Sequence, residues 1–142
     1  MRTLVVEDDF TSRRLIQRLL EPLGEVDIAV DGKEAMSAFL SSRSEHTPYD
    51  LICLDIMMPE MDGHEVLRLI RQAEQESGTV GGSGVKVIMT TVLADHKNVM
   101  KAFSGQCSAY LTKPIDKQKL YDNLEQLGFG IGAGPDKSGR SS

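Results

Sequence analysis

One stretch, LICLDIMMPEMDG at residues 51–63, constrains the fold of this chain more than any other part of the sequence. A short apolar run ends in the carboxylate of Asp55, and a Met-Met-Pro turn follows. Short apolar runs bounded by turn residues are typical of buried strands. The stretch therefore predicts a strand over residues 51–54 that carries Asp55 to one edge of a sheet. An aspartate that only caps a turn fits this stretch equally well, so the other strand ends must decide.

Four further segments have the apolar composition of strands, and helical stretches separate them. The five strands are predicted at residues 3–6, 26–30, 51–54, 85–89 and 108–112. Strands that alternate with helices indicate an α/β fold with a doubly wound, five-stranded parallel sheet and helices on both faces. Such sheets bind their ligands outside the carboxyl ends of the strands.

Apolar residues at helical spacing define the helices. The first helix is predicted to start at residue 11 with Thr11 or Ser12 as its cap, and the third at Asp62, with Glu65 placed as in a capping box. The last two are predicted at residues 94–104 and 116–127. The buried faces are expected to consist of Leu15, Ile16, Leu19, Leu20 and Leu23, then Ala35, Met36, Phe39 and Leu40, then Val66, Leu67 and Ile70, then Val99, Met100 and Phe103, then Leu120, Leu124 and Leu127.

The chain is expected to form one domain over residues 1–127, with a flexible connection at 77–84 and a disordered, glycine-rich tail at 128–142. The net charge of −5, with no basic stripe, argues against direct binding to nucleic acid. The start of the chain lacks a signal-peptide pattern, and no apolar run approaches the roughly 18 residues of a membrane span. We therefore expect a cytoplasmic protein without membrane contact.

The predicted strand ends carry polar residues that suit one kind of chemistry. Asp8 and Asp9 follow the first strand, Asp55 the third, a pair of threonines the fourth and Lys113 the fifth. Carboxylates packed at one edge repel one another, and a hard cation such as Mg²⁺ relieves that repulsion. Lysine and a hydroxyl are good partners for phosphoryl oxygens. Together these groups predict phosphoryl transfer onto an aspartate.

The same residues resemble the response-regulator receiver domain of two-component signalling. The matching segments are EDD at 7–9, LDIMMPEMDG at 54–63, Thr91, and YLTKPI at 110–115. The resemblance extends from residue 2 to about residue 127 and implies a flavodoxin-like sheet in the order 2-1-3-4-5. It also implies a cis peptide before Pro114.

The resemblance assigns roles to individual residues. Asp55 would be the phosphoacceptor, and Lys113 would pair with it and then with the phosphoryl group. Asp9, Asp55 and the backbone carbonyl of Met57 would ligate Mg²⁺, while Asp8 would contact the cation through water. Tyr110 would be the aromatic switch residue.

Of the two threonines on the fourth strand, Thr91 is expected to contact the phosphoryl group. It precedes Lys113 by the interval usual in the family, and Thr90 is expected to face the other side of the sheet. The family usually has a small residue after this hydroxyl, whereas Val92 stands here and is expected to crowd the mouth of the site.

The chain is thus expected to be a single-domain response regulator, a phospho-switch rather than an enzyme. Its partners would be a sensor histidine kinase or a histidine phosphotransfer protein and an unknown output protein. It would be a monomer or a weak phosphorylation-dependent dimer. A phosphohydrolase is disfavoured because no second acid stands two residues after Asp55, and a pseudo-receiver because the acids, threonine and lysine are all present. Met57 and Leu93 are apolar where a polar side chain would orient water, so a long-lived phosphorylated state is expected.

Overall fold

Five parallel strands form a single sheet in the computed structural model, which describes residues 1–78, 84–92 and 107–131. Their order is β2-β1-β3-β4-β5, with β1 at Arg2–Val6, β2 at Glu25–Ala29, β3 at Leu51–Asp55, β4 at Lys86–Val92 and β5 at Ala109–Lys113. The described helices are α1 at Phe10–Leu20, which continues into a 3₁₀ turn at Glu21–Leu23, α2 at Gly32–Ser44, α3 at Gly63–Glu76 and α4 at Lys117–Gln126. The predicted fold class and strand order are confirmed.

The sheet is buried on both faces, as its apolar strands require. Successive residues of a strand point to opposite faces, so each central strand contributes to two clusters. Val87 and Met89 of β4 pack in the cluster that includes residues of α2 and α3. Ile88 packs in the other cluster, with Cys53 of β3 and the apolar faces of α1 and α4. This alternation fixes the face from which each residue at the strand ends projects.

Local structure differs from the sequence predictions at several positions. Helix α1 starts at Phe10, not at residue 11, because the side chain of Asp9 caps it by accepting a hydrogen bond from the Ser12 N–H at 2.9 Å. Leu15 and Leu40 are 37% and 50% exposed, so they lie outside the buried faces assigned to their helices. The predicted cap of α3 is confirmed, since Asp62 accepts from the Glu65 N–H at 3.0 Å.

Some predictions fall outside the described residues. These are the helix at 94–104 with Val99, Met100 and Phe103, the residue Leu93, most of the connection at 77–84, and residues 132–142 of the tail. The start of the tail is described, and there Phe129 and Ile131 pack against the core cluster that contains α4. None of the helices in the described ranges is both long and apolar enough to span a membrane.

The close approach of α3 to β3 explains why the motif at 51–63 ends in a glycine, Gly63. Its N–H donates to the Ile56 carbonyl at 2.9 Å, which draws the start of α3 against the end of β3. A Cβ at this position would lie 2.4 Å from the backbone oxygen of Asp55 and 2.9 Å from the Cα of Ile56. Only glycine allows this approach, because backbone atoms cannot move aside as a flexible side chain can.

Gly63→Ala is therefore expected to lower the free energy of unfolding by about 1–3 kcal/mol, the usual range for overpacking. Urea denaturation of the variant and the wild type measures the difference. Gly130→Ala is a matched control, because nothing lies within 4 Å of a Cβ built there. Equal losses in the two variants would contradict the steric explanation.

Candidate functional site

An ion-paired cluster lies at the carboxyl edge of the sheet. The Nζ atom of Lys113 is 2.7 Å from Oε1 of Glu7 and 3.1 Å from Oδ1 of Asp55. Glu7 is fully buried and Asp55 is 3% exposed, whereas about a fifth of the Lys113 side chain remains exposed. Charged groups are rarely buried unless they are paired, so each of these residues depends on the others for its position.

Backbone hydrogen bonds hold the two acids in place. Glu7 extends the pairing of β1, since its N–H donates to the Ala29 carbonyl at 3.1 Å. Its Oε2 accepts from the Asp9 N–H at 3.1 Å. Oδ1 of Asp55 accepts from the Met57 N–H at 3.3 Å. Both carboxylates are therefore fixed by the chain that follows their own strands.

The electrostatics of the cluster raise the pKa of Asp55 to about 7. Burial is the largest cause, since it removes the water that would stabilise the carboxylate, and the negative charge of Glu7 adds to it. Lys113 acts in the opposite direction without cancelling these effects. Burial alone would lower the pKa of Lys113, but its bond to Glu7 and the charges of both acids outweigh burial and raise it.

Three acids of this edge lie close enough to hold a metal ion. Carboxylate oxygens of Glu7, Asp8 and Asp55 all lie within 4.8 Å of one another, and Asp8 is exposed to solvent. When all three acids are ionised, the single ammonium group of Lys113 leaves two negative charges in the cluster. A hard divalent cation that accepts a few protein oxygens and keeps several waters, as Mg²⁺ does, fits this donor set.

The structure does not bring Asp9, to which the resemblance gave a metal-ligand role, into this group. The carboxylate of Asp9 caps α1 and is exposed, and its pKa is lowered chiefly by the hydrogen bonds from Ser12. Glu7 lies in the group instead. Strand alternation could have found it, because Glu7 follows Val5 by two residues and so projects from the same face.

The strand register also corrects the expected orientation of the threonines. Thr90 is the register partner of Asp55 on β3 and of Leu111 on β5, so its side chain leaves the sheet on the face of Asp55. Alternation sends Thr91 to the other face, near the end of β4. Its hydroxyl is 3.4 Å from the Val92 carbonyl oxygen, and the residue is 1% exposed.

Two of the remaining predicted residues, Met57 and Val92, lie at the same edge, whereas Tyr110 lies three residues before the end of β5. Met57 is 59% exposed directly after β3, and Val92 is 53% exposed at the end of β4, opposite Lys113 in the register. Tyr110 is 39% exposed on β5. The peptide bond between Lys113 and Pro114 is cis, as the resemblance implied.

Comparison with known proteins agrees with this arrangement. The family model described as "Response regulator receiver domain" matches residues 3–125. The regulatory protein VanRB of Enterococcus faecalis is 37% identical over 128 residues, which are 89% of this chain and 52% of that protein. The chain spans about half the length, or less, of the curated relatives it matches.

Two solved structures have the same fold. The receiver domain of the histidine kinase CKI1 from Arabidopsis thaliana, complexed with Mg²⁺ and BeF₃⁻, is 28% identical, with a TM-score of 0.73 over 89% of this chain and 88% of that one. The chemotaxis protein CheY4 of Vibrio cholerae is 24% identical, with a TM-score of 0.73 over 89% of this chain and 97% of that one, and shows the fold alone. The chain belongs to the family of response regulator receiver domains.

Proposed function

We propose that Asp55 accepts a phosphoryl group, in a Mg²⁺-dependent reaction, from the phosphohistidine of a sensor histidine kinase or a histidine phosphotransfer protein. The observation that carries this proposal is the buried carboxylate of Asp55, held 3.1 Å from Lys113 at an edge where two more acids meet. A carboxylate in this setting is a nucleophile with a cation already in place for the incoming charge.

In the transfer, an oxygen of Asp55 forms a bond to phosphorus while the bond from phosphorus to the histidine nitrogen breaks. Lys113 is placed to donate to the phosphoryl oxygens, since its Nζ already lies beside the attacking carboxylate. Thr91 supplies a hydroxyl from the end of β4. Mg²⁺ would be held by Asp8, Asp55 and the backbone carbonyl of Met57, with Glu7 in place of Asp9, and would supply neutralisation of the phosphoryl charge.

Phosphorylation then acts as a switch on the surface of the domain. A phosphoryl group brings about −1.5 to −2 charges and three acceptor oxygens, which draw Lys113 and Thr91 toward them. Tyr110 lies on the strand of Lys113 and responds to the space that Thr91 vacates. The surface of β5 and α4, together with the helix expected at 94–104, thus changes its population of conformations and binds an output partner. The protein works in the cytoplasm as a monomer or as a weak dimer after phosphorylation.

The first prediction concerns the acceptor. With acetyl phosphate and Mg²⁺, the intact mass of the wild type is expected to increase by one phosphoryl group. Asp55→Asn is expected to stay at its unmodified mass, because an amide is not a nucleophile here. A wild type that stays unmodified with every phosphodonor, or a variant that is still modified, would contradict the assignment.

The Mg²⁺ requirement of labelling can be tested with two neighbouring acids of one loop, Asp8 and Asp9, of which the second is the control. Asp8→Asn is expected to raise the Mg²⁺ concentration needed for half-maximal labelling, because it removes one acid of the cluster. Asp9→Asn keeps a good helix cap and lies outside the cluster, so its requirement is expected to match the wild type. The reverse result would restore Asp9 as a ligand.

A further prediction concerns pH and stability in the metal-free protein. The pKa of Asp55 is about 7 when folded and 3.8 as its ordinary value, so the native state holds a proton that the unfolded state has released. The contribution of Asp55 to the free energy of unfolding therefore falls as pH rises from about 4 to 7. Asp55→Asn removes this loss and is expected to raise the free energy of unfolding above pH 7, with little difference below pH 4.

Urea unfolding in EDTA across pH 4 to 8 measures this effect. Asp122→Asn is the control, because Asp122 is exposed on α4 and does not belong to the acid cluster. Parallel pH profiles of the wild type and Asp55→Asn would show that burial and Glu7 do not raise the pKa of this carboxyl.

The lifetime of the phosphorylated state can also be predicted. Met57 is exposed two residues after Asp55, and its thioether cannot orient an attacking water. Met57→Asn is expected to speed dephosphorylation roughly threefold to tenfold, the effect of about one added hydrogen bond. The decay of the phosphorylated mass after removal of the donor measures this rate. Leu40→Asn, an equally polar change at an exposed position of α2, is expected to leave it unchanged.

A further inference from the structure

Thr90 carries a buried hydroxyl that the proposed function does not use. The residue is 2% exposed, and its Oγ1 has no hydrogen-bond partner within the described parts of the chain. A buried polar group without a partner destabilises the folded state by about 1–3 kcal/mol relative to one that is bonded. Valine has nearly the same shape without that penalty. An unpaired hydroxyl here therefore points to a second state in which it is bonded.

The register places this hydroxyl beside the acceptor. Thr90 and Asp55 are direct neighbours on adjacent parallel strands, about 4.8 Å apart, and project from the same face of the sheet. The backbone fixes this pairing further, since the Thr90 carbonyl accepts from the Ile56 N–H at 3.0 Å. The other register neighbour of Thr90 is Leu111, which offers no polar side chain. The carboxyl group of Asp55 is thus the polar side chain that the register sets beside it.

In the resting protein, one oxygen of Asp55 is already engaged. Oδ1 of Asp55 lies 3.1 Å from Nζ of Lys113 and accepts from the Met57 N–H at 3.3 Å. When Lys113 moves toward a phosphoryl group, that oxygen loses its strongest partner. A rotation about the first side-chain bond of Thr90 can then bring its hydroxyl to the oxygen that Lys113 has left.

We propose that Thr90 is a positioning residue for the Asp55 carboxyl group, to which its hydroxyl donates a hydrogen bond once Lys113 has moved to the phosphoryl group. This inference rests on the proposed function. It assigns to Thr90 a role separate from the one proposed for Thr91, whose side chain projects from the other face of the strand.

The hydrogen bond from Thr90 is expected to speed dephosphorylation. A water oxygen bonds to phosphorus, the bond from phosphorus to the Asp55 oxygen breaks, and its electron pair remains on the carboxylate, while a proton of the water passes to the inorganic phosphate. Negative charge therefore builds on Asp55 in the transition state. A hydrogen bond to a charged acceptor is stronger than one to a neutral acceptor, so the Thr90 hydroxyl stabilises the transition state more than the acyl phosphate.

The test compares the lifetimes of the phosphorylated states. Wild type, Thr90→Val and Thr90→Ser are loaded with acetyl phosphate and Mg²⁺, the donor is removed, and the phosphorylated fraction is followed by intact mass. Thr90→Val is expected to lengthen the lifetime roughly threefold to tenfold, the effect of one lost hydrogen bond. Thr90→Ser keeps the hydroxyl and is expected to decay within twofold of the wild type.

The thermal midpoint of unfolding separates the proposed role from a structural one, because loss of a structural hydrogen bond would lower it. Thr90→Val removes an unpaired buried hydroxyl, so its thermal midpoint is expected to be equal to that of the wild type or higher. Thr3→Val is the matched control, a buried threonine at the opposite end of the sheet, and is expected to leave the lifetime unchanged.

Three results would overturn the inference. Thr90→Val decaying at the wild-type rate, or Thr90→Ser decaying as slowly as Thr90→Val, would do so while the proposed function stands. A wild type that never gains the phosphoryl mass would overturn the proposed function, and this inference with it.

Discussion

The structure of the site depends on one ammonium group that two buried carboxylates share. Lys113 lies 2.7 Å from Glu7 and 3.1 Å from Asp55, and these acids come from strands far apart in the chain. Removing a single partner from such a buried cluster leaves a charge uncompensated, which is far more destabilising than losing a surface pair. The cluster persists because β1 and β3 are packed on both faces of the sheet, and β5 is packed on the face that carries Leu111. The fold therefore maintains an arrangement of charge that the three side chains could not maintain by themselves.

Acids around the carboxyl edge divide into two groups with different tasks. Asp9, Asp31, Asp62 and Asp116 each accept a backbone N–H at the start of a helix, so their charge is engaged by the helix that follows. Glu7, Asp8 and Asp55 cap no helix among the described elements, and their oxygens converge within 4.8 Å. The candidate metal site at this edge is therefore formed by acids that do not cap a helix. That distinction separates Asp8 from Asp9, which are adjacent and identical in residue type.

The sequence was sufficient for the α/β class and for placing Asp55 and Lys113 at one edge, because apolar runs ending in polar residues recur at each strand. It did not locate Glu7, since the position at which β1 ends decides which acid continues the strand and which begins α1. The orientation of Thr90 was missed for a similar reason. Which face a residue projects from depends on the pairing register, and one residue of shift reverses it. The exposure of Leu40 was missed for a third reason. Helical spacing predicts which side of a helix is apolar, but not how much of that side the sheet covers.

Phosphorylation of Asp55 would change the position of negative charge in this cluster more than its amount. Asp55 gives up its own negative charge on forming the acyl phosphate, and the new group carries about −1.5 to −2, so the net change is only about −0.5 to −1. What changes is position: the charge passes from a buried oxygen at the end of β3 to oxygens farther from the strand. Lys113 then has a stronger partner farther from the sheet, while its ion pair with Glu7 remains. Because Lys113 ends β5 and Thr91 lies near the end of β4, an outward shift of charge acts directly on the strand of Tyr110 and on the strand beside it. A coupling of this kind requires the phosphoryl group to favour one arrangement of Lys113 over the other, and the competing bond to Glu7 sets how large that preference must be.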